Sequence, residues 1–421
     1  MPSKTPHSPA ETPSPSVART PARSFRGWWS SLGPSLITAA LVFGPSKMTI
    51  TSKMGAEYGY ALLWIIVMAI FFMTVFTAMA SRIGLATRQS LLATIREKWG
   101  NPAAVAVGVG VFLVATSFQA GNSIGVGISI AEATHTPVNV WIVLFTALGI
   151  GLLFFRTFYR VLEQLMILLI GVMVVAFVVT LALSGPDYSD VVTGFVPSVP
   201  TGSLGLVIAF TASCFSIVGA FYQAYLVQER VRVNPKVREQ RVDTVTGMAL
   251  MGFMSATVLI CAAAVLHPKG LKVASASDMG RALEPIFGSY ASGLFLLGLF
   301  GASFSSLVGN ASVGGTLLGE ALGYGSQLSS KVVKLLIALV MVVGASIAII
   351  FGKLPLQLII FAQSVTILVV PFIGVAMYAI GNDARIMGRY VNSTAARIAA
   401  GLGLLVIFGL ALSNVNQLFF K

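Results

Sequence analysis

Eleven apolar stretches run through the chain, at roughly 33–57, 60–81, 102–131, 138–155, 161–184, 203–228, 243–266, 290–319, 332–351, 356–380 and 394–414. About 20 apolar residues are needed for a helix to cross the hydrocarbon core of a bilayer, so the stretches read as eleven transmembrane helices. Composition points the same way: 56% of the 421 residues are hydrophobic and 10% are charged. Soluble proteins average about 25% charged residues, and a water-exposed surface cannot be built from this chain. The expected fold class is an all-α integral membrane protein.

The net charge of +13 would raise nucleic-acid binding in a soluble protein, but its placement gives another reason for it. With a cytoplasmic N-terminus, alternate connections collect Lys4, Arg19, Arg23 and Arg26, then Arg82, Arg88, Arg96 and Lys98, then Arg156 and Arg160. They go on to collect Arg230, Arg232, Lys236, Arg238 and Arg241, then Lys331 and Lys334, then Arg385, Arg389 and Arg397. These are 20 of the 27 basic residues; the other side holds Lys269, Lys272, Arg281, Lys353 and Lys421. Positive charge gathers on cytoplasmic loops. The expectation is a multi-pass inner-membrane protein, N-terminus in and C-terminus out, partnered by lipid and not by nucleic acid. Residues 1–27, rich in Pro, Ser and Thr, read as a disordered cytoplasmic tail, and 28–421 as one transmembrane domain that works as a monomer.

Enzyme chemistry has no foothold. No CxxC, HExxH or P-loop pattern occurs, only three His are present, and Cys214 and Cys261 lie in apolar runs as buried free thiols. No resident cofactor is implied.

Two spans carry interruption signals. Span one contains Gly44-Pro45-Ser46-Lys47 about half-way along; Pro45 removes a backbone donor and disfavours helical geometry at Gly44. Span six carries Gly219-Ala220-Phe221-Tyr222-Gln223 at comparable depth without a proline. Transporters bind substrate at the midplane where paired helices of two inverted repeats break. Spans one and six are five apart, which suits a five-plus-five inverted repeat: 33–184, then 203–380, with 394–414 as an extra helix.

The run GPSLITAALVFGPSKMTITSKMGAEYGYALLW (33–64) resembles the first helix and following turn of the NRAMP family of divalent-metal transporters, whose pattern is roughly GPG, then DPGN, then GAQYGYxLLW. The tenth span, FAQSVTILVVPF (361–372), is similar to that family's SQVxLSLxLPF stretch. The resemblance implies the LeuT-like inverted-repeat fold shared with amino-acid transporters. It also marks departures, as in a divergent prokaryotic branch lacking the metal-binding motifs. The family's metal-binding Asp falls on Gly44 and its metal-binding Asn on Lys47, while MPHN of span six falls on Ala220, Phe221, Tyr222 and Gln223. The acidic residues of span three fall on Gln119 and Asn122.

At ~4 Å and an effective dielectric near 20, two unit charges interact by about 4 kcal/mol, so a divalent ion beside ionised Lys47 meets roughly twice that opposition. Helix N-termini and a buried Lys together favour an anion. The expected cargo is a small monovalent anion, bicarbonate foremost, carried by alternating access. Its expected binding set is Gly44, Ser46, Lys47, Thr49, Ala220, Tyr222 and Gln223, with Gln119, Asn122 and Gln363 behind it. By analogy with the amino-acid transporters, Ser305 and Ser306 are candidates for a coupling sodium site. The alternatives are a divalent cation transporter for manganese or magnesium with an atypical site, and a ligand-sensing membrane protein that does not transport. Lys53 is expected to pair with Glu57 four residues on.

Overall fold

Pro45 shapes the first span. Helix α1 (Gly33–Val42) ends just before it and α2 (Pro45–Tyr58) begins on it. Gly44 between them is extended, at φ −105° and ψ 177°, as a residue preceding proline prefers. Pro45 takes the first helical position, where a missing N–H is no loss. The interruption expected from Gly44-Pro45 is therefore present. The computed structural model describes residues 33–87, 89–154, 158–214, 217–233, 244–273, 289–351 and 356–419. The tail at 1–27 lies outside the described residues.

The remaining described helices are α3 (Leu63–Ala86), α4 (Leu91–Trp99), α5 (Asn101–Thr134), α6 (Val138–Leu152), α7 (Phe158–Ser184), α8 (Tyr188–Thr193), α9 (Leu204–Cys214) and α10 (Ile217–Val233). They continue as α11 (Val245–Val265), α12 (Ser289–Ala321), α13 (Lys331–Phe351), α14 (Leu356–Gly381), α15 (Ala384–Met387) and α16 (Thr394–Phe419). Helix occupies each of the eleven stretches read from the sequence. Among the described residues, however, eight helices are long and apolar enough to cross a membrane, or nine if the pair bent by 66° at Gly381 is one span. The count of eleven is not reached, because span one is divided into two short helices and α6 has 15 residues. Around the outside, Val67, Phe71, Val140, Leu335, Phe372 and Leu412 expose apolar side chains, as lipid-facing positions do.

The second expected interruption is corrected. Gly219–Gln223 lies wholly inside α10, so the chain does not unwind there. Residues 215 and 216, between α9 and α10, lie outside the described residues. Without a proline, nothing in the Gly219–Gln223 run removes a helical hydrogen bond.

Two groups of helices share the interior. Helix α5 lies along α12, and both pack on α13, while α6 and α7 flank them. The other group sets α2 and α3 on α11, and α3 on α10. Small residues permit the close approaches: a Cβ on Gly108 would stand 2.9 Å from Leu317 O, and one on Gly125 would stand 2.9 Å from Pro45 Cβ. Helix α5, at 34 residues, is about 50 Å long at 1.5 Å per residue, well over a bilayer's hydrocarbon core.

At one end, the connection 185–203 folds over the α2–α3 turn: Trp64 Nε1 donates to Ser198 O at 2.8 Å, and Trp64 N to Gly194 O at 3.1 Å. There Asp187 caps α8, accepting from Ser189 N at 2.9 Å and Ser189 Oγ at 2.7 Å. The Ser189 hydroxyl bond, then the amide bond, hold the Asp187 carboxyl below its ordinary range. A depressed folded-state value means the cap contributes above the ordinary carboxylate range, near 3.9, and is lost as pH falls through the lower value. Exchange protection of the Ser189 amide should disappear on that acid limb, and Asp187→Ala should remove the pH dependence.

Candidate functional site

The broken first span builds the site. Phe43 N still bonds Ala39 O at 2.9 Å, but Gly44 N turns back to Val42 O at 3.1 Å, and Met48 N restarts the ladder on Gly44 O. Carbonyls at the end of α1 have lost their helical partners, and hydroxyls of α12 satisfy them. Ser305 Oγ donates to Ala40 O at 2.9 Å, and Ser306 Oγ donates to Leu41 O at 3.0 Å. These two serines, read from the sequence as candidates for a sodium site, donate to carbonyls in the last turn of α1. Gly44 leaves room for this meeting: a Cβ there would lie 2.8 Å from Ser306 Oγ and 3.4 Å from Asn122 Oδ1.

A cavity of about 50 Å³ opens beside the break, bounded by Leu41, Val42, Gly44, Ser46, Lys47, Asn122, Ser213, Asn310 and Thr366 among others. It has room for a few water molecules, or for one ion keeping part of its hydration shell. Of the expected residues, Gly44, Ser46, Lys47 and Asn122 converge on it. Lys47 is 1% exposed and its Nζ reaches α11, 3.4 Å from Met251 Sδ.

Other expected residues are placed elsewhere. Thr49 Oγ1 donates to Pro45 O at 2.9 Å, within its own helix. Gln223 ties three helices together, accepting from Thr38 Oγ1 at 2.5 Å and donating to Ser81 Oγ at 3.1 Å. Tyr222 lies beside a separate small cavity with Tyr225, Gln228 and Glu229. Ala220 is fully buried and does not line the central cavity. Gln119 supports Asn122: its Oε1 accepts from Asn122 Nδ2 at 3.2 Å, and its Nε2 donates to Leu307 O at 2.8 Å. The side chain of Gln363 lies outside the described residues, as does that of Cys214, whereas Cys261 is a buried free thiol. Lys53 and Glu57 pair at 3.3 Å.

The residues missed are Ser213, Asn310 and Thr366. Asn310 stands in the polar run of span eight, and Thr366 in the FAQSVTILVVPF stretch, so each had a sequence signal; Ser213, a small residue in an apolar helix, had none. Among the described residues no three His, Cys, Asp or Glu side chains are grouped as a metal would need. The polar wall of the cavity is made of hydroxyl and amide groups together with the side chain of Lys47.

Access can be followed along the helices. On α10, Val218 lines the central cavity, Tyr222 and Tyr225 the small one, and Gln228 and Arg232 a vestibule of about 390 Å³ at the Arg-rich end. On α2 the lining runs from Ser46 to Tyr58, which borders a vestibule of about 630 Å³ that also holds Asp187, Asp190 and His267. Vestibules thus stand at both ends of these helices, with the small central cavity between them.

Comparison with known proteins decides the family. The profile of the Nramp family, described as natural resistance-associated macrophage protein-like, matches residues 35–417. The chain belongs to the Nramp family. A relative in Chromohalobacter salexigens, named divalent metal cation transporter MntH, is 28% identical over 414 residues, covering 93% of this chain and 91% of the relative. The manganese transporter of Eremococcus coleocola, solved with an aromatic bis-isothiourea compound, superposes with a TM-score of 0.73 at 20% identity, covering 96% of this chain and 89% of that one. A nucleobase-cation-symport-1 transporter in a closed conformation, with bromovinylhydantoin bound, gives 0.62 at 12% identity, covering 92% and 93%. The multi-pass transporter fold of this Nramp chain, with its inverted repeats, is thus the LeuT-like one expected.

The relatives correct the cargo. The expected small inorganic anion, bicarbonate foremost, is overturned by kinship with divalent metal cation transporters. The sequence argument had placed the Lys47 ammonium at the ligand position itself. Its Nζ lies 3.4 Å from the Met251 thioether of α11, while the residue still borders the cavity.

Proposed function

We propose that this Nramp chain carries a divalent metal cation across the inner membrane by alternating access, with the Arg-rich end cytoplasmic. The observation that carries the reading is kinship: relatives aligned over most of the chain bear the name divalent metal cation transporter. The site supports a hard cation. Ser46, Asn122, Ser213, Asn310 and Thr366 bring neutral oxygens to the space beside Lys47, and hard divalent cations such as magnesium take oxygen ligands and keep several of their waters. Manganese shares that preference for oxygen. Asp187 and Asp190 at the outer vestibule would raise the local cation concentration.

Asn122 is the proposed anchor, held in place by Gln119. Sodium is the proposed coupling ion, at the oxygens of Ala40, Leu41, Ser305 and Ser306. The test is uptake into proteoliposomes of manganese and of magnesium, with and without an inward sodium gradient. Uptake above protein-free vesicles is expected for at least one cation. Asn122→Ala should reduce it roughly tenfold at sub-saturating cation, which corresponds to about 1.4 kcal/mol. Absence of uptake for both ions sinks the cargo; uptake indifferent to sodium removes the coupling ion alone.

A further inference from the structure

Among the described residues, two charged side chains are buried, Lys47 and Glu320. Lys47 borders the central cavity, but nothing so far uses Glu320. It stands in the last turn of α12, lining the vestibule at the Arg-rich end, and is 6% exposed. Ser90 Oγ donates to Oε1 of its carboxylate, and Tyr225 OH donates to Oε2 at 2.7 Å.

The surrounding bonds make a closed set. Tyr225 OH also accepts from Leu92 N at 3.2 Å, and Ser90 Oγ accepts from Ala93 N at 3.0 Å. The carboxylate is thus bonded through both hydroxyls to the first turn of α4, whose free N–H groups and positive dipole end favour negative charge. At the other end of α4, Arg96 Nη2 donates to Glu320 O at 2.9 Å and to Ala321 O at 3.2 Å. Helix α4 is clamped to α12 at both of its ends.

Tyr225 is different in kind, because it belongs to α10. That helix packs on α3, in the second group of helices, whereas α4 and α12 belong with α5. The Tyr225 to Glu320 bond crosses from one group to the other. It does so between the small cavity beside Tyr222 and the open vestibule beyond. Opening that end means moving α10 away from α12, and this bond must then break.

We propose that Glu320 is a gating residue that holds the Arg-rich end of the transport route closed by binding Tyr225 across the two helix groups. This rests on the alternating-access reading above, but its test does not depend on the cargo. In the full chain with Cys214 and Cys261 replaced by Ser, a single cysteine is introduced at Thr316, which lines the small cavity and is 1% exposed. Its modification by a membrane-impermeant methanethiosulfonate reagent is timed in proteoliposomes with the Arg-rich end accessible. Removing a hydrogen bond to a charged acceptor shifts a two-state balance by roughly tenfold or more. Glu320→Gln and Tyr225→Phe should each accelerate labelling by about that factor.

Tyr225→Phe deletes one hydroxyl and keeps the ring stacked on Tyr222, so it preserves the fold if Glu320→Gln does not. Lys98→Gln, which breaks the Lys98 to Asp383 ion pair at the same end, should leave the rate unchanged. Unchanged labelling in Tyr225→Phe overturns the proposal, as does equal acceleration by Lys98→Gln. Faster labelling without flux of either cation would keep the gate and reject the cargo.

Discussion

Replacement of Lys47 by methionine is expected to tighten divalent-cation binding by roughly a hundredfold. The ammonium is 1% exposed and its side chain borders the cavity. A divalent ion and an ammonium about 10 Å apart repel by about 3 kcal/mol at an effective dielectric of 20, and each 1.4 kcal/mol is a factor of ten. Methionine keeps the length of the side chain and would pack against Met251 where the ammonium now lies. The measurement is manganese or magnesium affinity of the purified protein by calorimetry. An affinity unchanged within threefold would mean that the charge is absent or outside the ion's field. A weakened affinity would mean that Lys47 organises the cation site.

Gly55→Ala should be the most destabilising single methyl group in the broken span. A Cβ at Gly55 would stand 2.3 Å from Leu259 O and 2.9 Å from Ala263 N, both in the backbone of α11, which cannot swing aside as a side chain can. Relief requires α2 and α11 to separate by several tenths of an ångström or more. Overpacking of this kind costs about 1–3 kcal/mol, sometimes more, and the upper end applies against backbone. Because α2 carries Ser46 and Lys47, the displacement also reaches the cavity. A fall in thermal midpoint and a loss of exchange protection along α2 should appear together in detergent. Gly171→Ala is the matched control, since nothing lies within 4 Å of its added methyl. Alanine is the better helix former by about 1 kcal/mol, so that variant should hold or raise the midpoint.

The legible parts of the sequence were those with a local cause. Gly44-Pro45 ended a helix because proline lacks an N–H and restricts its neighbour, and the structure breaks there. Lys53 and Glu57 paired because helix geometry brings i and i+4 together. Span six shows the limit: Gly219–Gln223 has no residue that forbids helix, and it is helical. Tyr222 and Gln223 were read as ligands from their depth along a span. Depth does not say which way a side chain points. Gln223 turns toward Thr38 and Ser81, and Tyr222 toward the small cavity.

By itself the sequence determined that the chain is a helical membrane protein with a broken first span, and placed a buried lysine beside that break. These follow from apolar length, charge placement and backbone chemistry, all of which act within a few residues. The direction of the Lys47 ammonium, the pairing of Ser305 and Ser306 with carbonyls of α1, and the bonding of Glu320 to Tyr225 and Ser90 were decided only by tertiary structure. Each joins residues far apart in the chain, 95 positions in the case of Tyr225 and Glu320. Such contacts depend on how whole helices pack, because a side chain's electrostatic role is set by the partners that packing brings within reach.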